Sequence, residues 1–290
     1  MSSGVHQWLF LSFRRRVAYR LTLLLTLSAI AAQARERILF DADWRFHLGD
    51  FSGVEQVNAV DAANWRTVDL PHDWSIEGER RAEEPSAGGG GFFPTGIGWY
   101  RKTFDAPEAW RDQRVSVEFE GVYMHAEVWL NGARLGVQPY GYTTFRFDLT
   151  PHLRFGAGEK NELAVRVDNS RQPNSRWYSG SGIYRHVWLE IVNPVHVAPK
   201  SLLARTIELT ANAATVAVDA SVRNTTGSAT PAEIILEIVD GSNQRVAASQ
   251  TLDIVALAAG ETPISARFQI SRPQLWSLES PHLHTLVTRV

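Results

Sequence analysis

The residue types best suited to chemistry are concentrated in residues 172–185, which read Gln-Pro-Asn-Ser-Arg-Trp-Tyr-Ser-Gly-Ser-Gly-Ile-Tyr-Arg. Amide, hydroxyl and guanidinium groups can make polar contacts here, Trp177 and Tyr178 offer flat apolar faces, and the glycines let backbone approach a ligand. A sugar has hydroxyls on its rim and an apolar C–H face, so this mixture suits a sugar. From composition alone, a buried loop held together by its own side chains is an equal alternative.

Other candidate sites fail on spacing. Residues 179–182 are Ser-Gly-Ser-Gly, which lacks the spacing of a nucleophile elbow, and glycines 88–91 are not followed by the Lys-Ser/Thr of a phosphate-binding loop. His282 and His284 lie two apart and so share a face of a strand, but the sequence offers no third ligand beside them. No metal site is predicted.

The elements that must position residues 172–185 are β-strands. Apolar and polar residues alternate with a period of two in five segments of the first two-thirds of the chain: 115–119, 126–130, 145–149, 163–167 and 187–191. Asn131-Gly132 is typical of a tight hairpin, because both central positions of that turn need positive φ. We find no amphipathic helix longer than two turns. The sequence therefore predicts an all-β chain that begins with an antiparallel sandwich, a jelly roll.

A second domain is predicted to begin after Asn193-Pro194, so that the first covers 35–194 and the second 195–290. All but one of the ten tryptophans precede this point. Five later segments have strand-like texture and favour an immunoglobulin-like sandwich: 215–222, 232–239, 245–251, 262–270 and 282–290. The chain stops at Val290 inside an apolar strand, so we expect this sandwich to be incomplete and the natural protein to be longer.

Residues 1–34 have the composition of a signal peptide. Basic residues around 14–20 precede an apolar run, 21–31, and Ala32-Gln33-Ala34 is a small-x-small cleavage site. A run of about eleven apolar residues is too short to cross a bilayer comfortably, so an uncleaved anchor is the lesser alternative. We expect an exported protein, periplasmic or secreted, with no stable membrane span after cleavage.

Composition excludes several functional classes. With 29 basic and 31 acidic residues the chain is mildly acidic, and removal of residues 1–34 makes it more so, which argues against nucleic-acid binding. The absence of cysteine excludes disulfides, a thiol nucleophile and a thiolate metal site.

Residues 174–185 resemble the segment that glycoside hydrolase family 2 enzymes, above all the β-galactosidase-type members, carry at the end of their N-terminal sugar-binding domain. Four upstream motifs occur in the family's order: Leu70-Pro71-His72-Asp73-Trp74, Gly96-Ile97-Gly98-Trp99-Tyr100-Arg101, Phe119-Glu120-Gly121-Val122 and Val128-Trp129-Leu130-Asn131-Gly132. Residues 272–283 resemble the family's segment near the end of the second domain. The resemblance runs from about Trp44 to the end of the chain and implies the same two sandwiches.

The resemblance also implies roles for single residues. Asn174 and Ser175 would bond sugar hydroxyls, Arg176 would do the same or orient a carboxylate, and Trp177 or Tyr178 would form an apolar wall. His72 and Asp73 would contribute beside them, unless they form a structural corner. Alternatively, Trp177, Tyr178 and Arg185 are internal struts, with Arg185 paired to Asp73 or Asp168. Some relatives have an Asp near Ser175, and this departure leaves the choice of sugar open.

Catalysis in the resembled family depends on two glutamates in a (β/α)₈ barrel that follows the second sandwich and hydrolyses the glycoside with retention. No repeating strand–helix pattern occurs here, so the chain is predicted to be inactive alone and to need no cofactor. Asn161-Glu162 has the look of a glycosidase acid/base, but it opens an alternating segment and is interpreted as a turn exit.

The expected function is the non-catalytic front of a β-galactosidase-like enzyme whose partners are a carbohydrate substrate and its own C-terminal barrel. Galactose is the expected sugar, with glucuronic acid or mannose as alternatives. A stand-alone carbohydrate-binding module and an adhesive sandwich pair are the other two interpretations.

Overall fold

The alternating segments are strands, and every strand pair is antiparallel. The computed structural model describes residues 35–54, 57, 65–241 and 244–290. The predicted signal peptide, 1–34, lies outside the described residues. Among the residues that are described, no helix is long and apolar enough to cross a bilayer.

Ten strands build the first sandwich. They are β1 (Glu36–Leu39), β2 (Trp44–Leu48), β3 (Arg66–Val68), β4 (Gly96–Asp105), β5 (Arg114–Phe119), β6 (Ala126–Leu130), β7 (Ala133–Gln138), β8 (Phe145–Asp148), β9 (Lys160–Asn169) and β10 (Val187–Val192). Single 3₁₀ turns occur at Glu108–Trp110 and Thr150–His152. One sheet has the order β1-β10-β5-β8 and the other β3-β2-β4-β9-β6-β7.

The core of this sandwich lies between the two sheets, where the apolar member of each alternating pair points. Val117 of β5 and Leu189 of β10 face Val128 of β6 and Val165 of β9 within one buried cluster. Burial of these aliphatic side chains supplies most of the driving force for the sandwich. Tryptophan is unusually common in the interior, and six tryptophans are buried: Trp44, Trp65, Trp74, Trp99, Trp110 and Trp129.

The outer face of the six-stranded sheet is also partly buried, which the alternation did not predict. Trp129 stacks on Trp99 with 5.3 Å between ring centroids, and both join Trp65 and Ala164 in a separate buried cluster. Val54 and Val57 belong to the same cluster, and Phe51 packs against it. Strands β4, β6 and β9 are therefore packed on both faces at this point.

The predicted hairpin turn is confirmed. Asn131 and Gly132 have φ of +53° and +85° and join β6 to β7. The Asn131 side chain also accepts a hydrogen bond from the backbone N–H of Glu162, 2.9 Å away, so the turn is held against the start of β9.

Seven strands build the second sandwich. They are β11 (Val195–Val197), β12 (Leu203–Leu209), β13 (Ala213–Asn224), β14 (Thr230–Asp240), β15 (Val246–Leu257), β16 (Gly260–Ser271) and β17 (His284–Arg289). In one sheet β13 pairs with β11, β12 and β16, and the other has the order β15-β14-β17. All five predicted segments of this domain contain strands, so the all-β prediction with two sandwiches is confirmed.

Strand β12 was missed because it has no buried face. All seven of its residues are exposed, so its sequence does not alternate in the way that burial imposes. The core of the second sandwich is mainly aliphatic and is centred on Val222, Ile234 and Leu236.

A side-chain link joins the two sandwiches. Arg114 of β5 donates to the hydroxyl of Thr225 at 2.8 Å and to its carbonyl oxygen at 2.7 Å. Thr225 in turn donates through its backbone N–H to the carbonyl of Pro194, 2.9 Å away. Residues 35–290 form one compact unit.

Candidate functional site

Residues 170–186 form the connection between β9 and β10, as the sequence predicted. The base of this loop is organised by Asn169, the last residue of β9, whose side chain is buried. Its amide nitrogen donates to the Ser181 hydroxyl at 2.7 Å and to the Gly180 carbonyl at 3.1 Å. Its amide oxygen accepts from the side chains of Gln172 and Asn174 at 2.9 and 2.7 Å. One side chain thus holds both arms of the loop.

Asn169 was not among the predicted site residues, although a signal for it exists. It continues the row formed by Leu163, Val165 and Val167, which is the buried row of β9. A polar residue in a core-facing position needs hydrogen-bond partners. Asn169 finds them in the loop.

Asp73 fixes the middle of the loop. One carboxylate oxygen accepts from the backbone N–H groups of Ser75 and Ser181, at 3.0 and 2.8 Å. The other accepts from the Tyr178 hydroxyl at 2.6 Å. Partial burial, together with this carboxylate, raises the pKa of Tyr178, so the phenol stays protonated and donates. The carboxylate of Asp73 is occupied by the protein itself.

His72 lies deeper and forms a corner. Its side chain is buried, Nδ1 lies 2.7 Å from the Tyr100 hydroxyl, and Nε2 lies 2.9 Å from the Arg66 guanidinium. Since a guanidinium can only donate, Nε2 accepts and the ring is neutral. Burial lowers the pKa of His72 below its ordinary value of 6.5, with a smaller opposing effect of Glu77. The backbone N–H of His72 donates to Ile183 at 2.8 Å, so the structural-corner alternative describes its geometry.

Gly182 allows the loop to pass this corner. Its φ is +127°, and a Cβ built on it would meet the carbonyl oxygen of His72 at 2.6 Å and would also meet the Tyr100 hydroxyl. No larger residue fits there without displacement of backbone.

The solvent-facing rim of the loop carries Asn174, Arg176 and Trp177. Trp177 is 58% exposed, although its indole N–H donates to the Tyr142 hydroxyl at 2.9 Å. Tyr178 is 37% exposed and packs against Phe93, with 4.9 Å between ring centroids. Trp177 therefore presents a free face in the manner of an apolar wall, whereas Tyr178 is both partly exposed and a strut.

The polar candidates Asn174, Ser175 and Arg176 differ in how much hydrogen-bonding capacity remains available for a ligand. The Ser175 hydroxyl donates to the Trp177 carbonyl at 2.6 Å. Asn174 accepts from the Tyr123 hydroxyl at 3.2 Å while its amide donates to Asn169. Arg176 is exposed and makes no hydrogen bond or ion pair to any residue that the structure describes. Of these three side chains, Arg176 is the one with its full donor capacity available.

Sequence reasoning also missed two aromatic residues beside Trp177. Tyr140 and Tyr142 are 56% and 43% exposed, and their ring centroids lie 5.6 Å apart. They occur in the connection between β7 and β8, and the Tyr-Gly-Tyr spacing was the available signal. Together with Trp177 they form an exposed group of aromatic side chains, which we call the aromatic rim.

Two sequence interpretations concern charged residues near the loop. Arg185 pairs with Glu120 at 3.6 Å, not with Asp73 or Asp168. The reason is that the chain re-enters β10 directly after Arg185, and β10 lies beside β5, which ends one residue before Glu120. Asp168 instead contacts Arg166 at 3.3 Å.

Both side chains of the Asn161-Glu162 pair are engaged in contacts within the protein, as expected for a turn exit. Asn161 is fully buried, and its amide bonds both the N–H and the carbonyl of Arg154, at 2.9 and 2.8 Å. Glu162 forms an ion pair with the largely buried guanidinium of Arg101. Neither side chain is free to transfer a proton to a ligand.

Comparison with known families shows which family the two sandwiches belong to. The model for the sugar-binding domain of glycosyl hydrolases family 2 matches residues 39–194, and a second model of glycosyl hydrolases family 2 matches residues 201–290. The chain belongs to glycosyl hydrolase family 2. Its first sandwich is therefore the family's sugar-binding jelly-roll domain and its second the family's immunoglobulin-like domain.

Individual family 2 relatives cover most of this chain. A β-galactosidase of Bacteroides ovatus is 43% identical over 263 residues, which are 91% of this chain and 30% of that protein. A protein of Formosa agariphila described as a putative β-glucuronidase is 36% identical over 87% of this chain and 23% of its own length. A solved family 2 structure from Bacteroides cellulosilyticus superposes with a TM-score of 0.82 at 37% identity, and covers 87% of this chain and 33% of that one. The chain thus spans only a minor part of the curated relatives it matches, between 18% and 36% of their length.

Proposed function

We propose that the chain is the N-terminal, non-catalytic part of an exported, retaining β-glycosidase that removes terminal β-linked sugars. The two glutamates of such a reaction would reside in a (β/α)₈ barrel that follows the second sandwich. The loop of residues 172–185 would reach that active site and contact the non-reducing sugar. Galactose is the first candidate sugar, since a relative at 43% identity is named a β-galactosidase.

The observation that carries this proposal is the contrast between the two sides of the loop. Its inner side is fixed by Asn169 and Asp73, whose polar atoms are occupied. Its outer side leaves the face of Trp177 and the guanidinium of Arg176 exposed. A rigid base with an unoccupied aromatic face and an unoccupied donor is the arrangement expected of a sugar subsite.

Contacts to glucuronic acid are the second option for the same site. A guanidinium can bind a carboxylate with two parallel hydrogen bonds, and Arg176 has no partner among the described residues. The protein of Formosa agariphila noted above is described as a putative β-glucuronidase. Activity on matched galactoside and glucuronide substrates separates the two sugars.

The first test is Trp177→Ala in the whole enzyme, which comprises this chain and its C-terminal continuation. Loss of an aromatic face against a sugar corresponds to about a two- to tenfold rise in KM. Trp276→Ala is the matched control, because Trp276 is also 58% exposed but lies in the second sandwich. A Trp177→Ala enzyme that keeps its KM and kcat would overturn the proposed contact.

A stand-alone carbohydrate-binding module is the second candidate function, and the aromatic rim favours it. Exposed aromatic side chains such as Tyr140 and Tyr142 can bind sugars without a barrel. The discriminating measurement is a calorimetric titration of the 290-residue chain with methyl β-galactoside. We expect no saturable binding at millimolar sugar, and saturable binding that Trp177→Ala abolishes would favour the module.

A further inference from the structure

Three side chains of metal-ligand type meet at one end of the β15-β14-β17 sheet, in the second sandwich. Asp240 is the last residue of β14, and it lies directly opposite His284, the first residue of β17. Directly opposed residues of an antiparallel pair share a face of the sheet. His282 lies just before β17, outside the strand, and its ring centroid is 5.0 Å from that of His284.

The face that Asp240 and His284 share is the one that faces the core. Ile234, Leu236 and Ile238 are buried and have the same parity along β14 as Asp240. On the neighbouring strand Leu286 packs against the core and continues the row of His284. A carboxylate and an imidazole thus occupy positions at the end of an otherwise apolar row, with a second imidazole beside them.

The spacing of the three side chains suits one small cation. One ligand atom from each lies within 4.8 Å of those of the other two. His282 Nε2 and Asp240 Oδ1 are 3.3 Å apart. A tetrahedral zinc ion with bonds of about 2.0–2.1 Å holds its ligand atoms about 3.3–3.4 Å apart. The pair of His282 and Asp240 already has this spacing, and the third ligand atom, of His284, lies within 4.8 Å of both.

An independent observation concerns His282. Its side chain is only 9% exposed, and its buried Nε2 makes no hydrogen bond. Nε2 of His282 lies within ion-pair distance of the Asp240 carboxylate, but the two groups are not aligned for a hydrogen bond. Buried nitrogens without a directed partner are rare in native proteins and often mark an ion or a bound group.

We propose that Asp240, His282 and His284 form a binding site for one divalent transition-metal ion, zinc in the first instance. Two imidazoles and a carboxylate favour zinc over calcium or magnesium, which prefer all-oxygen sites. The ion would tie β17 to β14 and leave a fourth position for water or a further ligand. The sequence alone indicated no third ligand beside the two histidines, and the fold brings Asp240 there from the neighbouring strand.

The test is a calorimetric titration of the tag-free 290-residue chain, first treated with a chelator, with zinc chloride at neutral pH. We expect one equivalent to bind with a dissociation constant of micromolar or below and to raise the unfolding temperature. Magnesium and calcium should not bind. Asp240→Asn, His282→Gln and His284→Gln should each weaken zinc binding at least tenfold, because each removes one of three protein ligands.

A matched control exists in the first sandwich. His186 Nδ1 lies 2.6 Å from a carboxylate oxygen of Asp41, which is a histidine–aspartate pair outside the proposed site. His186→Gln should bind zinc as the wild type does. Equal loss in His186→Gln and His282→Gln, or no saturable zinc binding by the wild type, would refute the site.

Zinc-edge X-ray absorption of the loaded wild-type chain keeps the proposal testable if a variant does not fold. Two imidazole ligands are expected around the ion. Fewer than two would mean that the zinc is held elsewhere, and the proposal would fail.

Discussion

His72 illustrates how one residue can be prominent in a motif and yet face inward. Its ring lies between the Tyr100 hydroxyl and the Arg66 guanidinium, with Glu77 at 3.5 Å. A sequence cannot reveal this, because the motif Leu70-Pro71-His72-Asp73-Trp74 suits a ligand corner and a structural corner equally. The carboxylate of the neighbouring Asp73 likewise accepts hydrogen bonds from Ser75, Ser181 and Tyr178. Both residues position the loop rather than present charge to a ligand.

The low pKa of His72 predicts a pH-dependent stability. Below its ordinary value of 6.5 the unfolded chain takes up a proton that the folded chain, whose His72 has a lowered pKa, does not. The free energy of unfolding should therefore decrease as pH falls from about 7.5 towards 5. Urea unfolding of the wild type and His72→Gln at several pH values measures the difference. Glutamine offers an acceptor and a donor but does not titrate. The packing of the ring on Phe46 is also lost, but that loss does not depend on pH.

We expect the difference in free energy of unfolding between wild type and His72→Gln to narrow, or to change sign, as the solution becomes more acidic. His196, whose pKa is also lowered by burial, is unchanged in both proteins and cancels. If the difference in free energy of unfolding stays constant over this pH range, the pKa of His72 is the same in the folded and the unfolded chain.

The roles of the loop residues in binding stay predictions, and several of their hydrogen-bond and ion-pair partners were not accessible to sequence reasoning. Trp177 and Arg176 have the exposure that a ligand contact needs. The hub Asn169 was missed, although its core-facing parity signalled it. The pairing of Arg185 with Glu120 depends on which strands are neighbours, and alternation alone does not give strand order.

At the scale of elements, alternation predicted the strands whose two faces differ. It predicted β5, β6 and β9 and the Asn131-Gly132 turn between β6 and β7. It failed where the two faces are alike. Strand β12 is exposed on both, and strand β4, which was not among the alternating segments, has four consecutive buried residues, 98–101, and is packed on both. A period of two reports the difference between faces, so equal faces leave no signal.

Because the loop passes close to β4 at Gly182, we expect a side chain at this position to lower the stability of the protein. Gly182→Ala places a methyl group against the His72 carbonyl and the Tyr100 hydroxyl. Gly96→Ala is the matched control, because Gly96 has nearly the same φ, +125° against +127°, with nothing within 4 Å of the added methyl group. We expect the free energy of unfolding of Gly182→Ala to be about 1–3 kcal/mol below that of Gly96→Ala, the usual cost of overpacking.

Chemical denaturation of both variants measures this difference. The backbone strain of an alanine at positive φ is common to the two variants. The difference in their free energies of unfolding therefore reports the steric clash of the methyl group at position 182. Equal losses of stability would mean that the loop moves away from the corner at little cost.

At the scale of the whole molecule, the described residues contain two separate sandwich cores. The core of the first is rich in aromatic side chains, with Trp44 and Tyr100 fully buried, whereas that of the second is mainly aliphatic. The two are connected by the Arg114–Thr225 contact and the chain at Pro194. The sequence predicts a domain division from the change in composition after Asn193, because core composition is a local property. The position of Asp240 beside His284 was not visible, because it requires strand pairing.

Two cores predict two unfolding transitions. In calorimetry of residues 35–290 we expect the second sandwich, with its smaller core, to unfold at the lower temperature. Ile234→Ala should lower only the transition of the second sandwich, at a cost of about 2–5 kcal/mol. Val117→Ala should lower only the transition of the first sandwich, since each substitution truncates a fully buried side chain in one core. A single transition that both substitutions shift equally would show that the sandwiches unfold as one unit.

The placement of the tryptophans has a spectroscopic consequence. Six indoles are buried in the first sandwich, whereas the second has only Trp276, which is more than half exposed. Intrinsic emission should therefore shift to longer wavelength when the first sandwich opens and barely respond to the second, while far-ultraviolet circular dichroism reports both. The protein carries its own optical label for one of its two domains, and no dye or isotope is needed to follow them separately.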